Sequence, residues 1–147
     1  MENHMTVTFD AISANEAFAR MVVSAFLVGR NPTVEELTDV KTAVSEAVTN
    51  AVIHGYENTT GSVTMSCAME GTALTVCVQD FGQGIADVKK AREPFYTTRP
   101  ELERSGMGFA FMEAFMDDLE VVSEPGSGTT VHMQKKMTSG SWIPGEE

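Results

Sequence analysis

Apolar and polar residues alternate along Met5-Thr6-Val7-Thr8-Phe9, the period of two expected of a strand with one buried face. The period then lengthens. After Ser13-Ala14-Asn15-Glu16, which has the pattern of a capping box, Phe18, Met21, Val22, Ala25 and Phe26 recur at helical spacing until Gly29. A second such box, Thr33-Val34-Glu35-Glu36 behind Pro32, opens a helix with the apolar stripe Leu37, Val40, Val44, Ala47, Val48 and Ala51, and Gly55 is its stop. Alternation returns in Ser62–Met69 and Thr72–Gln79, through Val63, Met65 and Cys67 and then Leu74, Val76 and Val78, which reads as a hairpin around Glu70-Gly71. A stretch punctuated by glycine and proline runs from Asp80 to Gly108. It leads into a helix from about Met107 to Met116 and two more strands, Leu119–Ser123 and Thr129–Gln134. Helices early and late among hairpin-paired strands predict an α+β fold, a two-layer α/β sandwich with helices on one face of a mixed, mostly antiparallel sheet.

Composition narrows the function. The 147 residues, 42% apolar, suit one domain over residues 1–137, with the polar stretch 138–147 as a flexible tail. A net charge of −11 repels phosphate backbones and anionic lipid, which sets aside direct nucleic-acid and membrane binding and leaves a protein partner. No apolar run approaches the roughly 20 residues of a membrane span. The start, Met1-Glu2-Asn3-His4, lacks the features of a secretion signal, so a cytoplasmic protein is expected. Cys67 and Cys77 fall on opposite faces of the hairpin, which argues against a disulfide, and the scattered His4, His54 and His132 predict no structural metal.

Glu46, Asn50 and His54 follow one another at i, i+4 and i+8 on the second helix, beside its apolar stripe. A carboxylate and an amide oxygen one turn apart can serve Mg²⁺ and a reacting hydroxyl, although by itself such a pair is more often just a solvated helix face. The downstream segments change that balance. Asp80-Phe81-Gly82-Gln83-Gly84 joins a carboxylate to two glycines that let backbone approach a ligand, and Glu103-Arg104-Ser105-Gly106-Met107-Gly108 opens a helix whose free N–H groups favour phosphate. Gly126-Ser127-Gly128-Thr129-Thr130 precedes the last strand. None of these carries the lysine of a P-loop or the third glycine of a dinucleotide fingerprint, and the protein-kinase signature set is missing.

In this order, Glu46-Ala47-Val48-Thr49-Asn50-Ala51-Val52-Ile53-His54, Asp80-x-Gly82-x-Gly84, Gly106-x-Gly108 and Gly128-Thr129-Thr130 resemble the GHKL ATPase superfamily, whose members share the Bergerat ATP-binding fold. The short chain, the run from Pro100 to Phe109 and the pair Asp117-Asp118 resemble its anti-sigma-F branch of serine kinases from spore-forming bacteria; the likeness spans Met5 to Lys136. The resemblance implies ATP and Mg²⁺ as cofactors, Asn50 as the Mg²⁺ ligand and Glu46 as the base acting on a serine hydroxyl. It assigns Asp80 to the adenine amino group, Gly82 and Gly84 to loop closure, and Gly106 and Gly108 to the phosphates. Arg104 would supply charge near the γ-phosphate, and Thr129 and Thr130 would sit at the adenine end. Histidine kinases share this site but add a dimerisation domain for which the chain has no room.

The resemblance also implies partners: a sigma factor of the F type held away from RNA polymerase, an anti-anti-sigma factor phosphorylated on serine, and a homodimer formed through the sheet that includes the first strand. Glu16 and Arg20, expected to be exposed and opposite Phe18 and Met21, match the partner-binding helix face. The segment from Ala86 to Ser105 is expected to order as a lid on nucleotide or partner binding. Two alternatives stay open: a sigma-sequestering module regulated by ATP without significant phosphotransfer, and a stress-response kinase acting on a sigma factor of the B type.

Overall fold

The computed structural model describes residues 2–56, 60–93 and 108–138. Arg104 and Gly106, most of the expected lid and residues 139–147 lie outside the described residues. In chain order the elements are β1 (Glu2–Asp10), α1 (Asn15–Leu27), a 3-10 turn (Val28–Arg30), α2 (Val34–Asn50), a π-turn (Ala51–Gly55), β2 (Ser62–Glu70) and β3 (Ala73–Asp80). They continue with the short α3 (Val88–Ala91), α4 (Gly108–Phe115), β4 (Asp118–Glu124) and β5 (Gly128–Lys136). The sheet order is β1-β2-β3-β5-β4, and all four neighbouring pairs run antiparallel. The α+β sandwich therefore stands.

Strand alternation sorts the sheet into two faces. Val63, Met65, Cys67 and Met69 of β2, Leu74, Val76 and Val78 of β3, and Val131 and Met133 of β5 are buried beneath the helices. They share one core with Val40, Val44 and Val48 of α2, which packs against both α1 and α4. The opposite face is polar, with Thr6 bonded to Ser66 at 3.2 Å and Thr8 to Thr64 at 3.0 Å. The two cysteines divide as alternation requires. Cys67 is buried on the core face, where burial, with a smaller contribution from Cys77, pushes its thiol up to about 12. Cys77 is half-buried opposite Ser66, and both are free.

The second capping box forms as its sequence dictates: the Glu36 N–H donates to Thr33 Oγ1 at 3.0 Å, and the Thr33 N–H to Glu36 Oε1 at 2.9 Å. Glu36 does more than cap. Its other carboxylate oxygen accepts from the N–H of Thr138 at 2.6 Å and from its hydroxyl at 2.8 Å, tying the start of α2 to the chain just beyond β5.

The first helix departs from expectation twice. Its N-cap is Ala14, in helical conformation and without a side-chain cap bond, so the Ser13–Glu16 box does not form. Ser13 is already in a turn that uses its carbonyl for the Glu16 N–H, while Asn15 reaches back to the Asp10 carbonyl at 2.8 Å and Glu16 pairs with Arg20 at 3.1 Å. The buried stripe is Ala19, Val23 and Leu27, displaced by about one residue, or 100°, from the expected one. Met21 is 69% exposed, and Phe18 lies half out with its ring set edge-on to Phe9 at 5.8 Å. Small Ala19 and β-branched Val23 let α1 and α2 approach, a contact that the larger Phe18 and Met21 would hold apart.

Candidate functional site

Asp80 ends β3 on the core side, in line with Leu74, Val76 and Val78, and is 3% exposed. A carboxylate in an apolar row is costly unless hydrogen bonds compensate it. The Gly82 N–H donates to Oδ1 at 2.9 Å, and the N–H of Thr129, its cross-strand partner, also donates to the carboxylate. Burial nonetheless dominates these two bonds and pushes the Asp80 carboxyl above its ordinary range.

Backbone closes in around this group. A Cβ on Gly55 would stand 2.9 Å from the Asp80 carboxyl carbon, and one on Gly82 would collide with the Gly55 carbonyl. Gly84 adopts φ +79° against the carbonyl of Glu124. The Asp80–Gly84 loop, the end of the α2 helix and the β4–β5 turn therefore meet at a separation that side chains would prevent.

The stop of α2 at Gly55 is correct in position but not in kind, because residues 51–55 widen into a π-turn before the chain leaves at Tyr56. Such turns recur at functional sites. Its last carbonyls are taken by one residue: Gln83 donates its side-chain amide to the His54 carbonyl at 2.7 Å and its N–H to the Gly55 carbonyl at 2.8 Å. Tyr56 accepts from the Phe81 N–H and donates to the Ser62 carbonyl, both at 2.7 Å. Ser123 accepts from the Ile85 N–H at 2.7 Å and bonds the Thr129 hydroxyl at 2.8 Å. Tyr56, Gln83 and Ser123 went unread in the sequence. Most of their bonds join residues distant in the chain, such as Gln83 to His54 and Ser123 to Ile85, and no periodicity encodes them.

Glu46 and Asn50 lie one turn apart on α2, both half-buried. Glu46 lines a groove of about 490 Å³ between α1 and α2, together with Glu16, Arg20, Met21, Lys41 and Ser45. Met21 thus shares the groove with Glu16 and Arg20, which corrects the expectation that it lies opposite them. Thr129 is brought to Asp80, but Thr130 is not: it pairs with Gln79 and Val122 on the sheet face away from the helices, so strand alternation turns its side chain away from Asp80. Gly108 is buried as the first residue of α4. Among the described residues no group of three or more His, Cys, Asp or Glu could hold a metal by itself. Asn50 offers an amide oxygen, a hard donor compatible with a cation that also takes phosphate and water.

The chain matches the model of the histidine kinase-like ATPase domain over residues 9–135. It is 52% identical over 139 residues to an anti-sigma F factor of Bacillus licheniformis, covering 94% of this chain and 95% of that protein. It is 56% identical over 136 residues to an anti-sigma F factor of Clostridium acetobutylicum, covering 92% and 95%. Among solved structures it is similar to the RsbU and RsbW domains of a Mycobacterium tuberculosis protein, with a TM-score of 0.69 and 21% identity over 96% of this chain and 34% of that one. It is also similar to the catalytic domain of histidine kinase ThkA, with a TM-score of 0.56 and 15% identity over 92% and 99%. These two likenesses carry the fold. The chain belongs to the histidine kinase-like ATPase family, of GHKL type, and within it to the anti-sigma F factors.

Proposed function

We propose that this anti-sigma factor is also a serine kinase: it binds a sigma factor of the F type and uses Mg-ATP to phosphorylate a serine of an anti-anti-sigma protein. The observation that carries the reading is the buried Asp80 carboxylate, held by backbone N–H groups within an ATPase domain. A buried acceptor held by backbone N–H groups suits an adenine amino group, and it would reject guanine, whose carbonyl oxygen would face the carboxylate. The sigma-factor partner draws on the names of relatives more than 50% identical over nearly the whole chain, and the anti-anti-sigma substrate on the motif resemblance alone.

In this reading Asn50 holds Mg²⁺, which when bound neutralises charge on the phosphates. Glu46 orients the serine hydroxyl and takes its proton as Oγ bonds to the γ-phosphorus and the bond to the ADP oxygen breaks. Gly108 stands at the start of α4, where free N–H groups and the helix dipole favour phosphate, and Gly106 and Arg104 are assigned to the same end. Thr129 supports Asp80 from β5 and stands at the adenine end, whereas Thr130 faces the other side of the sheet. Glu16 and Arg20 present an ion pair on the groove rim for the protein partners. A homodimer through the sheet is supported by the edge position of β1.

The test is incubation with labelled ATP and candidate anti-anti-sigma proteins, followed by location of the label. Phosphoserine on one of them is the expected result. Binding of ATP and of sigma factor with no transfer to any candidate would leave a sequestering module instead of a kinase.

A further inference from the structure

The groups assigned to the two ends of the nucleotide sit on separate elements. Asp80 stands at the end of β3, whereas Glu46 and Asn50 belong to α2, and phosphoryl transfer depends on the distance between them being fixed. The connection runs through the π-turn that finishes α2. A π-turn has poorer internal geometry than the α-helix it interrupts and persists where its surroundings hold it. Here the Tyr56 N–H reaches back to the Ala51 carbonyl at 3.1 Å, and the carbonyls of His54 and Gly55 both point into the Asp80–Gly84 loop.

Both carbonyls are received by Gln83. A carbonyl can only accept, so the side-chain group at 2.7 Å from the His54 oxygen is the amide nitrogen. The Gln83 carbonyl in turn accepts from the Gly126 N–H at 2.6 Å, which extends the link to the β4–β5 turn. Gln83 is exposed, lies between Gly82 and Gly84, and donates its side-chain amide to backbone.

We propose that Gln83 is a positioning residue for phosphotransfer: by capping the last two carbonyls of the π-turn it sets the register between the helix of Glu46 and Asn50 and the loop of Asp80. The inference rests on the kinase reading and deepens it. Its side-chain bond is the removable part, because the backbone bond to Gly55 survives any substitution except proline. Without that bond the π-turn is free to tighten towards α-helix, which shifts Asn50 and Glu46 relative to Asp80 while Asp80 keeps its own N–H partners.

Three variants separate the donor from charge and size: Gln83→Met removes the donor without charge, Gln83→Glu removes it and adds a negative charge, and Gln83→Lys restores a donor of similar reach. For the first two, exchange of the Tyr56 amide should accelerate by about fivefold, the scale of one net hydrogen bond. The serine-transfer kcat should fall by about tenfold or more, while affinity for adenosine, which has no phosphate and engages the Asp80 end alone, stays within about twofold. Gln83→Lys should recover most of kcat and the slow exchange. Met and Glu variants with wild-type exchange and wild-type kcat would overturn the proposal, as would a Lys variant as impaired as Met. If the wild-type protein transfers no phosphate at all, the kinase reading fails by itself, and unchanged Tyr56 exchange in Gln83→Met would still separately refute the positioning role.

Discussion

The two ends of the site are built by different means. Around Asp80, backbone packs on backbone, with Gly55 against the carboxylate, Gly82 against the Gly55 carbonyl and Gly84 against Glu124, and the charged group is almost fully buried. Around Glu46, side chains from α1 and α2 line an open groove, and Glu46 itself is half-buried. A preorganised end selects its ligand before any partner arrives, because little has to be ordered on binding. Under the proposed function the open end leaves room for a second protein, which would bring the hydroxyl and exclude water. The comparison can be broken from either side.

The largest effect is expected at the open end. Glu46→Gln should lower the rate of serine phosphorylation by about 10²- to 10⁴-fold, the range of a lost general base, with ATP affinity changed by less than about threefold. Single-turnover transfer and equilibrium binding on the same sample measure both, and an unchanged rate would remove Glu46 from the chemistry. At the closed end, Gly82→Ala forces a methyl group into the Gly55 carbonyl, which has no flexible side chain to yield. It should cost about 3 kcal/mol in chemical denaturation. A cost below about 1 kcal/mol would mean that loop and helix end do not meet as described.

Glu36 gives a smaller and pH-dependent effect. Burial alone would raise its carboxyl, but the bonds from Thr33 and Thr138 outweigh it and leave it below the usual 4.5. A depressed folded value means that the stabilisation is complete above the unfolded value and is lost as pH falls through the folded one. Glu36→Gln should therefore destabilise by about 1–2 kcal/mol at pH 7, a difference that shrinks below about pH 4.5 in denaturation curves. Asp80 has the opposite sign. Its folded value is raised by burial, so the ionised carboxylate detracts from stability at neutral pH and protonation relieves the penalty as pH falls through that value. Asp80→Asn should leave the nucleotide-free protein at least as stable as wild type at pH 8, and the advantage should narrow on acidification. A variant less stable at pH 8 would show that Asp80 contributes to the fold instead of burdening it.

Where local chemistry decides an element, the sequence was a sufficient guide. Thr33 and Glu36 cap α2 as their spacing requires, the Val63–Val78 alternation gives the hairpin, and Asp80 is marked by the two alternate glycines that follow it. Where several answers satisfy the same pattern, it was not. The α1 helix carries apolar residues over most of its circumference, so periodicity does not choose between a stripe through Phe18 and Met21 and one through Ala19 and Val23; packing against α2 does. The π-turn and the bonds of Gln83, Tyr56 and Ser123 depend on which backbone groups the tertiary fold brings together. Thr130 differs again, because once Thr129 is opposite Asp80, alternation alone sends its neighbour to the other face.

The most direct measurement of the central claim is nucleotide affinity by titration calorimetry, comparing wild type with Asp80→Asn and ATP with GTP. Wild type should bind Mg-ATP at least about 100-fold more tightly than Mg-GTP, and Asp80→Asn should lose about 100-fold in ATP affinity, as expected when a charged hydrogen-bond acceptor of 2–3 kcal/mol is removed. Equal affinity of the two proteins for ATP would contradict the assignment of Asp80, and with it the account of the closed end.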